Sequence, residues 1–261
     1  MAKTLKLIDA GALQVAALYK RRTGRENPKA RAAKQKASSD AQRRMNQIYS
    51  YQKLELMMAA NFPRAGSALV CCATFDDAHL PKSRKDAQLR FKYFLKLLRK
   101  ERAAEGLPEP VVFWAPEILT SESGRWHFHF VIDATGRDLD MLRRCWIYGS
   151  DIDAEKLRVD AEKDHESLAR YMTKELRECQ EYAARPGLHG WSCTRNAKKP
   201  ETETYIVPDD YELQVPEEST VLLDERKQTE YASWRVVKYR IHSWAFPSAA
   251  RARRRRTRRK R

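Results

Sequence analysis

Two histidines one residue apart, a nearby glutamate, and a tyrosine three residues before a lysine are the side chains of this chain best suited to chemistry. His127 and His129 lie in RWHFHFVID, residues 125–133. This is a β-prone run, and side chains alternate faces along a strand. Trp126, Phe128, Phe130 and Ile132 therefore point one way and the two imidazoles the other. Two neutral imidazoles so placed can share one divalent cation; two partly exposed histidines on a solvent face are the plainer alternative. Glu117 belongs to VVFWAPEIL, residues 111–119, which the polar segment TSESG separates from the histidine strand. Two such runs around a Gly-bearing loop predict a hairpin. Pairing Glu117 with His127 centres the turn on Glu122 and puts the carboxylate on the histidine face, within reach of both rings. Pro116 offers another outcome, because a bulge there would shift the register and turn Glu117 to solvent.

Tyr171 and Lys174 sit in DHESLARYMTKELREC, residues 164–179, which reads as a helix with Asp164 or Ser167 available as its cap. Residues three apart share a helix face, so the phenol and the ammonium would point together. A cation there favours negative charge developing on a phenolate or a phosphate. The alternative is an ordinary amphipathic helix, with Leu168, Tyr171 and Leu176 in the core and Lys174 solvated.

These side chains must be carried by a packed frame. Residues 67–75 (SALVCCATF) read as a buried strand, as do 111–119, 126–133 and a short run near 151–157. Residues 84–105 form a clear amphipathic helix through Leu89, Tyr93, Phe94, Leu97 and Leu98. Helices are also predicted over 40–60, with Asp40 as a possible cap, and over 137–147, and a weak helical pattern runs over 1–22. A polar, basic linker is expected from about 23 to 39. The pattern weakens beyond Arg185. The fold class expected is α+β, with a central antiparallel sheet and flanking helices.

The net charge is +16, and its distribution says more than its total. The last eleven residues, RARRRRTRRKR, carry nine Lys or Arg and no acid, and residues 1–60 carry thirteen basic and four acidic side chains. Residues 61–250 are left at −2. A near-neutral centre with basic ends suits a polyanion, since each phosphate neutralised releases a counterion. Charge alone does not separate nucleic acid from an anionic membrane surface, and a basic tail can be merely solubilising. No run of 18 apolar residues exists to span a membrane. Five cysteines without a CxxC pair read as reduced thiols, and with no secretory signal the expected location is cytoplasmic.

In order and kind, these elements resemble the His-hydrophobic-His (HUH) endonucleases, specifically the rolling-circle replication initiators of plasmids and phages. His127-Phe128-His129 matches that family's metal motif, and Tyr171-Met172-Thr173-Lys174 its Tyr-x-x-Lys nucleophile motif. Glu117 falls where many members carry an acidic third ligand. Ala68–Phe75 occupies the place of the first strand motif, of whose polar content only Thr74 remains. The segment from Trp191 to Pro200 resembles the Lys-Lys-Pro stretch found after the nucleophile. The resemblance covers residues 42–208. It implies an HUH nuclease fold of ferredoxin-like type over residues 61–208, a basic and largely helical extension over 1–60, an accessory segment over 209–250 and a disordered basic tail over 251–261.

It further implies Mg2+ or Mn2+ held by His127, His129 and Glu117, and nucleophilic attack by Tyr171 assisted by Lys174. The products would be a 5′-phosphotyrosine and a 3′-hydroxyl primer. Single-stranded or supercoiled origin DNA is the expected partner, contacted by Arg170, Arg195, Lys198, Lys199 and the tail residues Arg253, Arg254, Arg255 and Arg256. With one tyrosine in the motif and Tyr182 out of helical phase with it, a second cleavage would need another subunit, a water or a further residue. No Walker-type GxxxxGK[ST] is present, so unwinding and synthesis would fall to a host helicase and polymerase. An HUH transposase or relaxase would use the same chemistry. A non-catalytic DNA-binding repressor, or an RNA-binding protein, would use the basic ends alone.

Overall fold

Alternation along the histidine strand sets the layout of the central sheet. The computed structural model describes residues 2–20, 40–117, 125–150, 152–178, 189–228 and 233–242. The expected linker, the TSESG turn, Tyr182, Cys179 and the basic tail with Arg253, Arg254, Arg255 and Arg256 lie outside these. The chain divides into two compact units, residues 34–198 and residues 1–33 with 199–261.

In the first unit the strands are β3 (Leu69–Thr74), β4 (Val112–Glu117), β5 (His127–Ile132), β6 (Ile152–Lys156) and β7 (Ser192–Cys193). They pair antiparallel in the order β6-β3-β5-β4-β7. One face is apolar. From it Leu69, Cys71 and Ala73 of β3, Val112 and Trp114 of β4, and Phe128, Phe130 and Ile132 of β5 join one buried cluster. Helix α2 (Arg84–Ala104) lays Phe91, Phe94, Leu95 and Leu98 onto it, and α3 (Leu139–Cys145) adds Met141 and Leu142. Phe91 stacks on Phe128 at 4.4 Å between centroids and meets Phe130 edge-on at 5.5 Å. Helix α2 begins where Ser83 accepts a hydrogen bond from the Asp86 N–H, a side-chain N-cap.

The opposite face holds Phe113 and Ala115 of β4 and Val131 of β5 in a second cluster. Leu54 and Met58 of α1 (Asp40–Asn61) and Phe62 just after it cover it, with Ala169 and Met172 of α4 (Glu166–Met172). His165, the residue before α4, is buried, with its Nε2 3.0 Å from the Phe62 carbonyl. The same face carries the two histidines and Glu117. The mixed α and β composition and the antiparallel central sheet are as expected, and no described helix is long and apolar enough to cross a membrane.

Two local expectations fail here. The helix read over 164–179 is interrupted: α4 stops at Met172, and a separate turn of helix, α5, spans Glu175–Glu178. The buried Thr173 hydroxyl donates to the Ala169 carbonyl at 2.8 Å, a back-bond that competes with helix continuation. Nor does Asp164 or Ser167 cap it; His165 holds the N-cap position, and Asp164 sits at φ +53°.

The second unit corrects the reading of the N-terminus. Within the weak helical pattern read over 1–22, residues 2–20 are not helical: β1 (Lys3–Ala10) and β2 (Leu13–Lys20) form an antiparallel hairpin. Its two-residue turn has Gly11 at φ +83°, the first central position where a type II′ turn needs glycine. The Asp9 carboxylate accepts from the Gly11 N–H at 2.9 Å and from the Gln14 amide at 2.7 Å. The hairpin is the middle of a sheet ordered β8-β1-β2-β10-β9, completed by β8 (Glu201–Val207), β9 (Ser219–Gln228) and β10 (Ser233–Ile241). Leu5, Leu18, Val237 and Tyr239 pack with Leu213 as its core. Residues 1–60 are thus no single helical extension. Their first strands pair with C-terminal ones, while α1 packs on the central sheet. Likewise Glu201–Val207, read as the end of the nuclease segment, pairs with β1.

Candidate active site

Register decides whether the glutamate reaches the histidines, and it is the one expected. Glu117 pairs with His127 and Ala115 with His129, with no shift at Pro116. Strand β7 pairs only with Phe113 and Trp114, so at Pro116 this edge of β4 has no ladder partner among the described strands. A missing N–H is tolerated at such an edge.

Both imidazoles therefore turn toward one carboxylate. The Glu117 Oε2 atom is 2.7 Å from His129 Nε2 and 3.4 Å from His127 Nε2. Lys174 Nζ meets Oε1 of the same group at 2.7 Å. The glutamate side chain is 5% exposed and each histidine 12%, so these contacts lie in a partly desolvated recess where charge interactions are strong. His127 Nδ1 lies 3.2 Å from the Arg125 carbonyl. Donation there leaves Nε2 as the acceptor atom facing the recess, the arrangement that orients metal-binding histidines.

Tyr171 joins from α4. Its hydroxyl lies 3.1 Å from His129 Nε2, and the two rings meet edge-on at 4.7 Å. The tyrosine is 44% exposed, so the oxygen meets both the recess and solvent. Lys174 follows the break after α4 and places Nζ 4.0 Å from the centre of the Tyr171 ring. The shared helix face expected for this pair is replaced by a turn, in which the Lys174 N–H donates to the Tyr171 carbonyl at 3.2 Å. The lysine thus sits over the phenol ring and against Glu117. Burial pulls its pKa down, but the hydrogen bond and charge of Glu117, with a smaller share from Tyr171, leave it above the ordinary lysine value.

The turn is anchored from below. Glu175 opens α5, and its carboxylate accepts from Arg84 of α2 at 2.9 Å, both side chains being buried. The Arg84 guanidinium in turn lies 5.4 Å from the Trp126 ring centre, just ahead of β5.

Cys72, expected only as one of five reduced thiols, is a neighbour of the site. It pairs with His129 across β3 and β5, and its sulfur and one nitrogen from each of His127 and His129 all lie within 4.8 Å of one another. Burial pushes its thiol pKa up; Asp153 and Glu117 add to that, while a Thr74 hydrogen bond and Lys174 oppose it. Cys71, one residue earlier, points into the aromatic core, where burial pushes its thiol to about 12. Alternation along β3 was the available signal. The pairing of β3 with β5 was not, because α2 and β4 intervene.

Among the described residues, those expected to contact DNA do not join this cluster. The Arg170 guanidinium lies 4.0 Å from the Tyr51 ring centre, donates to its hydroxyl at 2.7 Å and pairs with Glu166. Arg195 and Lys198 are exposed on the segment after β7. Asn61 pins the backbone there, accepting from the Lys198 N–H and donating to its carbonyl, each at 2.9 Å. Lys199 is also exposed and begins the second unit's share of the chain.

No protein-family model matches this chain, and no curated protein is significantly similar to it. A solved structure that is similar is the N-terminal nuclease domain of non-structural protein 1 of minute virus of mice, described as coordinating Zn2+ in its active-site pocket and recognising DNA at the origin of replication. The identity is 11%, over 78% of this chain and 72% of that one, with a TM-score of 0.21. At that score the two backbones diverge too far for chemistry to pass from one to the other.

Proposed function

We propose that the chain is a metal-assisted nuclease that nicks single-stranded DNA through Tyr171 and serves as a replication initiator. The observation that carries this reading is the exposed Tyr171 hydroxyl held 3.1 Å from an imidazole that itself shares a buried carboxylate with a second imidazole. A structural tyrosine has no need of that company. The donor set fits a divalent cation, since two nitrogens and a carboxylate oxygen face one recess. His127, His129 and Glu117 would hold it. Lewis-acid polarisation of a non-bridging phosphate oxygen is what such a cation supplies when bound. Mg2+ and Mn2+ are the ions implied by the resemblance to HUH initiators.

The chain's own residues account for the rest. Tyr171 attacks phosphorus, so that a bond forms from its oxygen while the bond from phosphorus to the 3′-oxygen breaks. The phenol proton leaves to solvent, because His129 Nε2 cannot hold a cation and accept from the hydroxyl at once. A proton from solvent completes the departing 3′-hydroxyl, and the strand's 5′ phosphate stays on the enzyme. Lys174, against the phenol ring, favours the negative charge that develops on the attacking oxygen and the phosphate. The phosphotyrosine conserves the ester, so a later 3′-hydroxyl can reverse the step. Arg195, Lys198, Lys199 and the basic ends would track the backbone of the strand.

The test is a denaturing gel of full-length protein with end-labelled single-stranded oligonucleotides tiling the DNA that flanks its coding sequence, with Mn2+ or with EDTA. The reading predicts an SDS-resistant protein–DNA adduct that needs metal. Retarded DNA with no adduct across the tiling would replace it with a non-catalytic DNA-binding protein.

A further inference from the structure

We propose that Cys72, in place of Glu117, is the third protein ligand of the cation site, making it a thiolate and bis-imidazole centre that selects a thiophilic divalent ion over Mg2+. This rests on reading His127 and His129 as metal ligands, and not on Tyr171 being the nucleophile.

The argument begins with position. Strand alternation sends Cys71 into the aromatic cluster and Cys72 to the other face, beside His129. One ligand atom from each of Cys72, His127 and His129 falls within 4.8 Å of the other two. Donor atoms around a single small cation stand about 3–4 Å apart, given bond lengths near 2.0–2.3 Å, so modest side-chain rotation brings the three onto one ion.

Charge partners sharpen the assignment. Glu117 is held on Oε1 by the Lys174 ammonium at 2.7 Å, while Oε2 faces both histidines. A carboxylate shared with an ammonium is a weaker donor than a free one. Cys72 is half-buried and is not part of the close-packed aromatic core, so its sulfur is on the histidine side of the sheet. Binding releases the thiol proton as the sulfur–metal bond forms, with no change of oxidation state.

Ligand chemistry then dictates the ion. Mg2+ demands hard oxygen donors and keeps its waters, whereas thiolate with imidazole suits Zn2+, Co2+ and Cd2+. Three protein donors with open positions form the pattern of a catalytic rather than a structural zinc site. The open positions leave room for a phosphate oxygen.

Cobalt reports the ligands directly. Full-length reduced protein titrated with Co2+ should show visible d–d bands together with a near-ultraviolet thiolate-to-cobalt charge-transfer band, both saturating at one equivalent. Cys72→Ser should lose the charge-transfer band, keep the d–d bands and bind Co2+ about tenfold or more weakly. Cys193→Ser, at a thiol on β7, should keep all three features, and circular dichroism should confirm that both variants are folded. Zn2+ should displace the cobalt, and millimolar Mg2+ should not. A charge-transfer band that persists in Cys72→Ser would overturn the proposal, as would d–d bands without charge transfer in the unmodified protein; the latter leaves the two-histidine reading standing. No Co2+ binding at all would overturn both together.

Discussion

Strand β5 has two faces with opposite physical characters, six residues building both. On one, Phe128, Phe130 and Ile132 are completely buried against α2, ring stacked on ring. On the other, Val131 is buried in the second cluster, while His127 and His129 are partly exposed and face Glu117, Lys174, Tyr171 and Cys72. The apolar face gains stability by excluding water from well-shaped hydrocarbon. The polar face groups ionisable side chains that a protein selected for stability alone would replace with apolar ones. A rigid face thus supports a face adapted for chemistry, and substitutions on the two should fail in different ways.

The largest loss of stability is expected at Phe128→Ala, about 4 kcal/mol in a denaturant titration, because the cavity opens where the stacked rings cannot collapse. His129→Asn, one residue away, should shift stability by no more than about 1 kcal/mol while removing metal binding. Equal losses at both positions would erase the contrast between the faces. Somewhat smaller, about 3 kcal/mol, is the cost expected for Glu175→Gln, which breaks the buried pair with Arg84. That variant should also slow adduct formation, since the pair anchors the turn that carries Lys174.

The smallest effect concerns pH. The folded-state pKa of Lys174 lies above its ordinary value of 10.5, so its ion pair stabilises the fold fully below that pH. The contribution is lost as pH rises through the higher folded value. Thermal unfolding of the native protein should therefore weaken at strongly alkaline pH, and Glu117→Gln should flatten that decline. An alkaline slope unchanged by Glu117→Gln would show that the lysine draws little from the carboxylate.

Much of the site was legible in the sequence because it rests on local rules. Alternation separated Phe128 from His127 and His129, and a hairpin pairing of the two flanking runs offered the register that brings Glu117 to His127. Helix α2 announced itself through its apolar period. What escaped depended on distant partners or on competing local bonds. The hairpin of β1 and β2 is rich in alanine and leucine, which mimic a helix, and its turn glycine was the overlooked signal. Strands β8 and β9 are largely polar and exposed, so only pairing within the second sheet defines them. Cys72 enters the site through a pairing of β3 with β5 that no spacing reveals. Thr173 broke a helix whose propensities favoured continuity.

The central claim is that Tyr171 is the nucleophile, and mapping the covalent link tests it most directly. Protein incubated with metal and a cleavable oligonucleotide would be digested with nuclease and protease and examined by mass spectrometry. The account predicts a single peptide bearing a 5′-nucleotide on the oxygen of Tyr171, absent from Tyr171→Phe. A nucleotide on any other residue, or an adduct undiminished in Tyr171→Phe, would contradict it.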